Sequence, residues 1–122
     1  MLAIIDYGSG NMRSIERAVR HVGADYQITI DPAVIATADG IVLPGVGAAR
    51  DTMTGLLSRD LTGPVREAIA SGRPFLGVCM GLQALFTDSE EDGGTDCLDL
   101  YPGTIRRFPD GLHIPHMGWN QV

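Results

Sequence analysis

Short apolar runs alternate along this chain with segments whose apolar positions recur at helical spacing. Leu2-Ala3-Ile4-Ile5 is the first run, ended by the turn formers Asp6-Tyr7-Gly8-Ser9-Gly10. Asn11 is placed to cap a helix whose apolar residues Met12, Ile15, Val19 and Val22 share one face. Residues 26–30 predict a second strand and 40–43 a third, stopped by Pro44-Gly45. Residues 48–57 and 61–70 predict two helices, the second closed by Gly72. Residues 74–78 predict a fourth strand, and a further helix opens at Gly81 and runs to Phe86. This alternation predicts an α/β fold: an open, mostly parallel, flavodoxin-like sheet with helices on both faces. In such a sheet the ligand crevice lies outside the carboxyl ends of the strands. Residues 6–11, 44–47 and 79–83 follow strands and are the places to look for chemistry.

The pattern changes after Phe86. Residues 88–96 form an acidic, Gly-containing loop, and 103–108 and 113–122 read as the arms of a late antiparallel hairpin turning at Pro109-Asp110-Gly111. With no internal repeat and no linker, residues 1–122 are read as one domain.

Composition adds exclusions. The 122 residues, 44% of them hydrophobic, are enough for one core. No stretch approaches the roughly 18 uninterrupted apolar residues of a membrane span. The N-terminus reaches Asp6 without a basic region and is not read as a signal peptide. Cys79 and Cys97 do not make a disulfide framework, which points to a reducing, cytoplasmic setting. A net charge of −6 with no basic run argues against nonspecific nucleic-acid binding.

Gly77-Val78-Cys79-Met80-Gly81 has the form of a nucleophile elbow with Cys in place of Ser. A sharp strand-to-helix turn pushes the central side chain into the crevice, at a helix N-terminus that favours negative charge. A small buried core cysteine is the competing reading. Acyl transfer also needs N–H donors for the developing oxyanion. Met80 supplies one, and Pro44-Gly45-Val46-Gly47, after the third strand, is placed to supply another from Gly45, Val46 or Gly47. Read alone, that loop is an ordinary glycine turn. Gln83, one helical turn beyond Cys79, lies on the same helix side and could grip an amide or carboxylate, or be a plain surface residue.

These residues carry a family resemblance. Gly77 through Gln83, with Pro44-Gly45-Val46-Gly47 upstream, resembles the class I, triad-type glutamine amidotransferases. Within them, Ile4-Ile5-Asp6-Tyr7-Gly8-Ser9-Gly10-Asn11 and Pro115-His116-Met117-Gly118-Trp119-Asn120 resemble the glutaminase subunits of imidazole glycerol phosphate synthase, from histidine biosynthesis. The resemblance runs through all 122 residues and corresponds to the N-terminal two-thirds of such a subunit. It implies that Cys79 attacks the side-chain amide of glutamine, that ammonia leaves, and that water hydrolyses the thioester. It further implies that Gln83 and Glu91 hold the amino-acid end of glutamine, Glu91 taking the α-ammonium. Ammonia would pass to a (β/α)8-barrel cyclase subunit in a heterodimer, with Asn11, His116, Met117, Trp119 and Asn120 at the interface. Trp119 has a core reading as well. No metal or cofactor is implied.

The chain departs from the family in one respect. The resemblance calls for a His followed two residues on by Glu, to act as base. His21, His113 and His116 are the only histidines, and none has an acid at that position. The expectation is a fragment of a longer protein, inactive alone, whose triad His and Glu lie beyond Val122. Rival readings are another triad amidotransferase, such as the anthranilate synthase glutaminase subunit, or a non-catalytic remnant. A dinucleotide site at Gly8-Ser9-Gly10 fails because Arg13 stands where the third glycine belongs. A calcium loop over Asp88, Glu90, Asp92, Gly93, Asp96 and Asp99 lacks the final Glu and the following helix. A zinc site from Cys97, His113 and His116 would need side chains three apart on an extended segment to point the same way.

Overall fold

The computed structural model describes residues 1–121. In chain order the elements are β1 (Leu2–Ile5), α1 (Met12–His21), β2 (Tyr26–Thr29), α2 (Pro32–Thr37), β3 (Gly40–Leu43), α3 (Ala49–Ser58), α4 (Thr62–Ala70), β4 (Phe75–Gly77), α5 (Met80–Gln83), β5 (Phe86–Ser89), β6 (Thr95–Asp96) and β7 (Tyr101–Ile105). The first four strands form a sheet in the order β2-β1-β3-β4, with every pairing parallel. That is the flavodoxin-type order, in which the chain reverses direction across the sheet on either side of β1.

Strand alternation divides the core into two layers. Ala3 and Ile5 of β1, with Ile41 and Leu43 of β3, face a large cluster with Ile35, Met53, Leu56, Leu61, Val65 and Ala68 from α2, α3 and α4. The other side is thinner: Ile4, Val42 and Val19 are buried there, with Met12 and Ile15 of α1 packed against them. Register places Ile28, Ile4, Val42 and Leu76 in one row across this face. The two inner members are buried, whereas Leu76 on the outermost strand β4 is 58% exposed. Val22, counted above with the helix's apolar face, is instead the α1 C-cap residue and is exposed.

The short helix α2 was not expected, yet its start obeys simple rules. Asp31 accepts a hydrogen bond from the Ala33 amide at 2.9 Å, and Pro32 occupies the first turn, where its missing N–H costs nothing. Its C-terminus is closed from a distance: Nη1 of Arg73 donates to the carbonyls of Ile35, Ala36 and Ala38 at 2.7, 3.0 and 3.0 Å.

The late part of the chain corrects two expectations. The helix expected over 81–86 stops at Gln83, and Phe86–Ser89 is a strand, because β5 is hydrogen-bonded on both edges, antiparallel to β6 and parallel to β7. The antiparallel pair is therefore β5–β6, within the acidic segment. The expected hairpin of 103–108 with 113–122 does not form: β7 pairs with β5, and residues 113–121 are irregular backbone with a few bends and no strand. Val122 lies outside the described residues. Leu98, between β6 and β7, joins the large core cluster and ties this second sheet to the first.

Arg73 generates a stability test. Arg73→Ala leaves two α2 carbonyls and that of the C-cap residue Ala38 without their charged donor, and hydrogen bonds to charged groups contribute about 1.5–3 kcal/mol. We expect a net loss of about 1–3 kcal/mol in denaturant unfolding, only partly recovered by Arg73→Lys, whose single ammonium cannot reproduce the guanidinium fork. An unchanged midpoint for Arg73→Ala would show that α2 is closed without it.

Candidate active site

β4 ends at Gly77, and the chain turns sharply into α5. Cys79 sits in the turn at φ 54°, ψ −115°, a conformation that L-residues avoid and that costs on the order of 1–3 kcal/mol. Its side chain is exposed. Two glycines make the turn possible by close approach. A Cβ on Gly81 would stand 2.0 Å from the Leu43 carbonyl oxygen, and one on Gly77 2.8 Å from the Leu82 Cα. The same Leu43 carbonyl accepts the Val78 N–H at 2.9 Å. The first turn of α5 is thus pressed onto the end of β3.

The loop after β3 joins this packing. A Cβ on Gly45 would lie 2.4 Å from the Gly81 nitrogen and 2.7 Å from the Met80 Cβ. Gly45 and Met80 are buried side by side, whereas Val46 and Gly47 are exposed. Gly47 has φ 88° and open space around its Cα, and the Val46 carbonyl accepts the Ser9 hydroxyl at 3.1 Å. The loops after β1, β3 and β4 therefore meet at one end of the sheet, as the parallel order requires.

Cys79 opens into a cavity of about 760 Å³ lined also by Gln83, Glu91 and His116. The far wall comes from Ile105 at the end of β7, from Arg106, Arg107 and Phe108 just after it, and from Ile114 and Pro115. Glu91 is not free in this arrangement: its Oε2 accepts the Ala49 N–H at 2.7 Å, and its own amide donates to Ser89 Oγ at 3.2 Å. Beside it, Arg50 Nη2 donates to the Asp92 carbonyl at 3.0 Å. Glu90 accepts the Arg107 amide at 3.2 Å and lies 3.9 Å from Arg106 Nε.

The remaining predicted residues are scattered. Asn11 is the α1 N-cap, its side chain accepting the Ser14 amide at 3.3 Å, and it does not line the cavity. Asn120 Nδ2 lies 3.2 Å from His116 Nε2, and the Phe108 ring meets His116 edge-on at 6.4 Å. Met117 and Trp119 are 84% and 104% exposed, so Trp119 is not part of the core formed by the described residues. The calcium register is broken by pairing, because Asp88 of β5 stands opposite Asp96 of β6. Among the described residues no three His, Cys, Asp or Glu side chains converge as a metal-binding group. Nor is any helix among them long and apolar enough to cross a membrane.

Comparison with known proteins decides the family. The profile of glutamine amidotransferase class-I matches residues 3–122. The chain belongs to the class I glutamine amidotransferases. Curated relatives include the imidazole glycerol phosphate synthase subunit HisH of Syntrophotalea carbinolica, 50% identical over all of this chain and 63% of its own length. The same-named subunits of Moorella thermoacetica and Methanothermobacter thermautotrophicus are 49% and 51% identical, over 99% and 100% of this chain and 58% and 61% of theirs. The chain thus spans about three-fifths of the length of these relatives. A solved glutamine amidotransferase structure superposes with a TM-score of 0.71 at 15% identity, covering 93% of this chain and 59% of that one, which speaks for the fold.

Within this amidotransferase chain, sequence reasoning overlooked Arg50, Ser89, Arg106 and Arg107. Arg106 and Arg107 reach the cavity because β7 pairs in parallel with β5 and ends at the same level, a placement that local pattern does not encode. Ser9 had a signal, standing in a loop directly after the first strand.

The two thiols are predicted to differ in reactivity. Cys79 is exposed, whereas burial pushes the Cys97 thiol up, with the Asp88 and Asp96 carboxylates adding to the effect. Limiting iodoacetamide near neutral pH, with mapped adducts, should label Cys79 several-fold faster, and the ratio should narrow at alkaline pH as Cys97 ionises. Equal labelling at neutral pH would count against the elbow.

Proposed function

We propose that this chain is the greater part of a glutaminase subunit of imidazole glycerol phosphate synthase, working in the cytoplasm within the histidine pathway. The observation that carries the reading is the strained Cys79, open to a cavity that it shares with Gln83 and Glu91 and backed by the Gly45 loop. The names and identities of the HisH relatives support the particular subunit over other triad amidotransferases.

On this reading glutamine enters the cavity with its α-ammonium toward Glu91 and its amide over Cys79. Gln83 binds the amino-acid end. The Cys79 thiolate attacks the amide carbon, and the C=O electron pair moves onto oxygen. Amide N–H groups of Met80 and of the 45–47 loop receive that oxyanion. Collapse expels nitrogen as ammonia once it gains a proton, and water then cleaves the thioester to release glutamate. Ammonia moves to a cyclase subunit of (β/α)8-barrel type. Asn11, His116, Met117, Trp119 and Asn120 are assigned to the contact with that subunit, the fully exposed Trp119 being suited to anchor it. The family's proton-transferring His, with a Glu two residues on, has no counterpart at His21, His113 or His116.

One observation favours a second reading of the base: His116 lines the Cys79 cavity. The two readings separate cleanly. With saturating glutamine, the full-length protein and its cyclase partner should release ammonia, whereas Cys79→Ala should not. The 122-residue chain should match the Cys79→Ala control, because removing one member of a nucleophile–base unit removes nearly all its benefit. Turnover by the 122-residue chain that is lost on His116→Ala would assign the base to His116. Gly45→Ala in the full-length protein must displace the loop from Gly81 and should lower kcat by about 100-fold or more, with KM much less affected.

A further inference from the structure

The far end of the 45–47 loop is the start of α3, and it is fastened in an unusual way. The N-cap residue, Ala48, has no side chain able to accept a hydrogen bond, and the Ala49 amide is buried. A helix start of this kind needs an acceptor from elsewhere. Glu91 supplies it from 42 residues away, its Oε2 taking the Ala49 N–H at 2.7 Å. Its own position is set by the hydrogen bond that the Glu91 backbone N–H donates to the Oγ of Ser89, a residue only 3% exposed. One residue further along each partner, Arg50 Nη2 donates to the Asp92 carbonyl at 3.0 Å. The pair forms a two-point clasp between the β5–β6 turn and the end of the 45–47 loop.

The clasp matters because the loop's middle is lightly held. Its near end is wedged by Gly45 against Gly81, but Gly47 has open space around it and Val46 is exposed. Only Oε2 of the Glu91 carboxylate takes part in the hydrogen bonds among the described residues, which leaves Oε1 for a ligand.

We propose that Glu91 and Arg50 are positioning residues for the oxyanion loop, and that Glu91 thereby links occupancy of the glutamine α-ammonium subsite to the aim of the oxyanion donors. This rests on the glutaminase reading. An ammonium on Oε1 draws the carboxylate into one orientation, and Oε2 then holds Ala49, and with it Gly47, in place. Arg50 acts on the same loop without touching substrate.

Variants of the full-length protein separate the two duties of Glu91. Glu91→Gln keeps a neutral acceptor for the Ala49 amide but loses the charge for ammonium, so KM should rise about tenfold or more with kcat within about threefold of wild type. Glu91→Ala loses both, and kcat should fall a further tenfold or so. Arg50→Ala should lower kcat several-fold at nearly constant KM, with Arg50→Lys recovering part. Hydrogen exchange supplies a readout that needs no turnover: amides 46–49 should exchange faster in Glu91→Ala and Arg50→Ala than in wild type or Glu91→Gln. Equal kcat in Glu91→Gln and Glu91→Ala, or unchanged exchange at 46–49 in Glu91→Ala, overturns the proposal. A wild-type protein without glutamine turnover sinks the glutaminase reading instead, and the exchange comparison still decides whether the clasp exists.

Discussion

The structure turns on one steric fact: the first turn of α5 and the end of β3 occupy nearly the same space. Where Gly81 stands, any side chain would begin 2.0 Å from the Leu43 oxygen. Because that approach is so close, β4 must end early, Cys79 must adopt a positive φ, and the loop after β3 must present a glycine of its own at position 45. Strain at Cys79 is tolerated because the surrounding contacts leave no other arrangement. The Val78 amide is already committed to Leu43, and the Leu82 and Gln83 amides to the Cys79 carbonyl. Backbone geometry, rather than any side-chain interaction, aims the thiol.

Around that wedge the cavity is assembled from two sheets with different duties. The parallel sheet delivers three loops to one end, and its large cluster of buried side chains makes them rigid. The smaller sheet is mostly exposed and contributes polar groups, Glu90, Glu91, Arg106 and Arg107, from the opposite side. The acidic segment that reads as a solvated loop is folded by pairing Thr95 and Asp96 with β5, and this pairing returns Glu91 to α3.

Much of this was legible because period and punctuation agreed. The runs at 2–5 and 40–43 are apolar and buried, and Gly77-Val78-Cys79-Met80-Gly81 announced a turn that the backbone angles display. The misses have physical causes. Asp31-Pro32 is a regular helix start, but six residues give too short a period to register, and Arg73 closes the helix from 35 residues beyond Ala38. Phe86-Thr87-Asp88-Ser89 does not look like a central strand, because its polar residues are accommodated by partners on both edges that no local pattern names. The turn at Pro109-Asp110-Gly111 suggested strands on either side. Yet β7 had its partner already, and Leu112 to Trp119 contribute exposed rather than alternating residues. Site membership failed for the same reason: Arg106 and Arg107 are placed by long-range register, not by motif.

The row Ile28, Ile4, Val42, Leu76 has a colloidal consequence. β4 carries the elbow and, among the described residues, is also the outermost strand of its sheet, so its edge and the exposed Leu76 offer a template to which another strand could add. Shortness restrains it: three residues, preceded by Pro74, leave few backbone groups to pair. Charge restrains it too, since copies carrying a net −6 repel at neutral pH. Acidification removes the second restraint and leaves the first. Among the described residues, the strand that aims the Cys79 thiol is therefore also the one least shielded, once its carboxylates take up protons, against pairing with another strand.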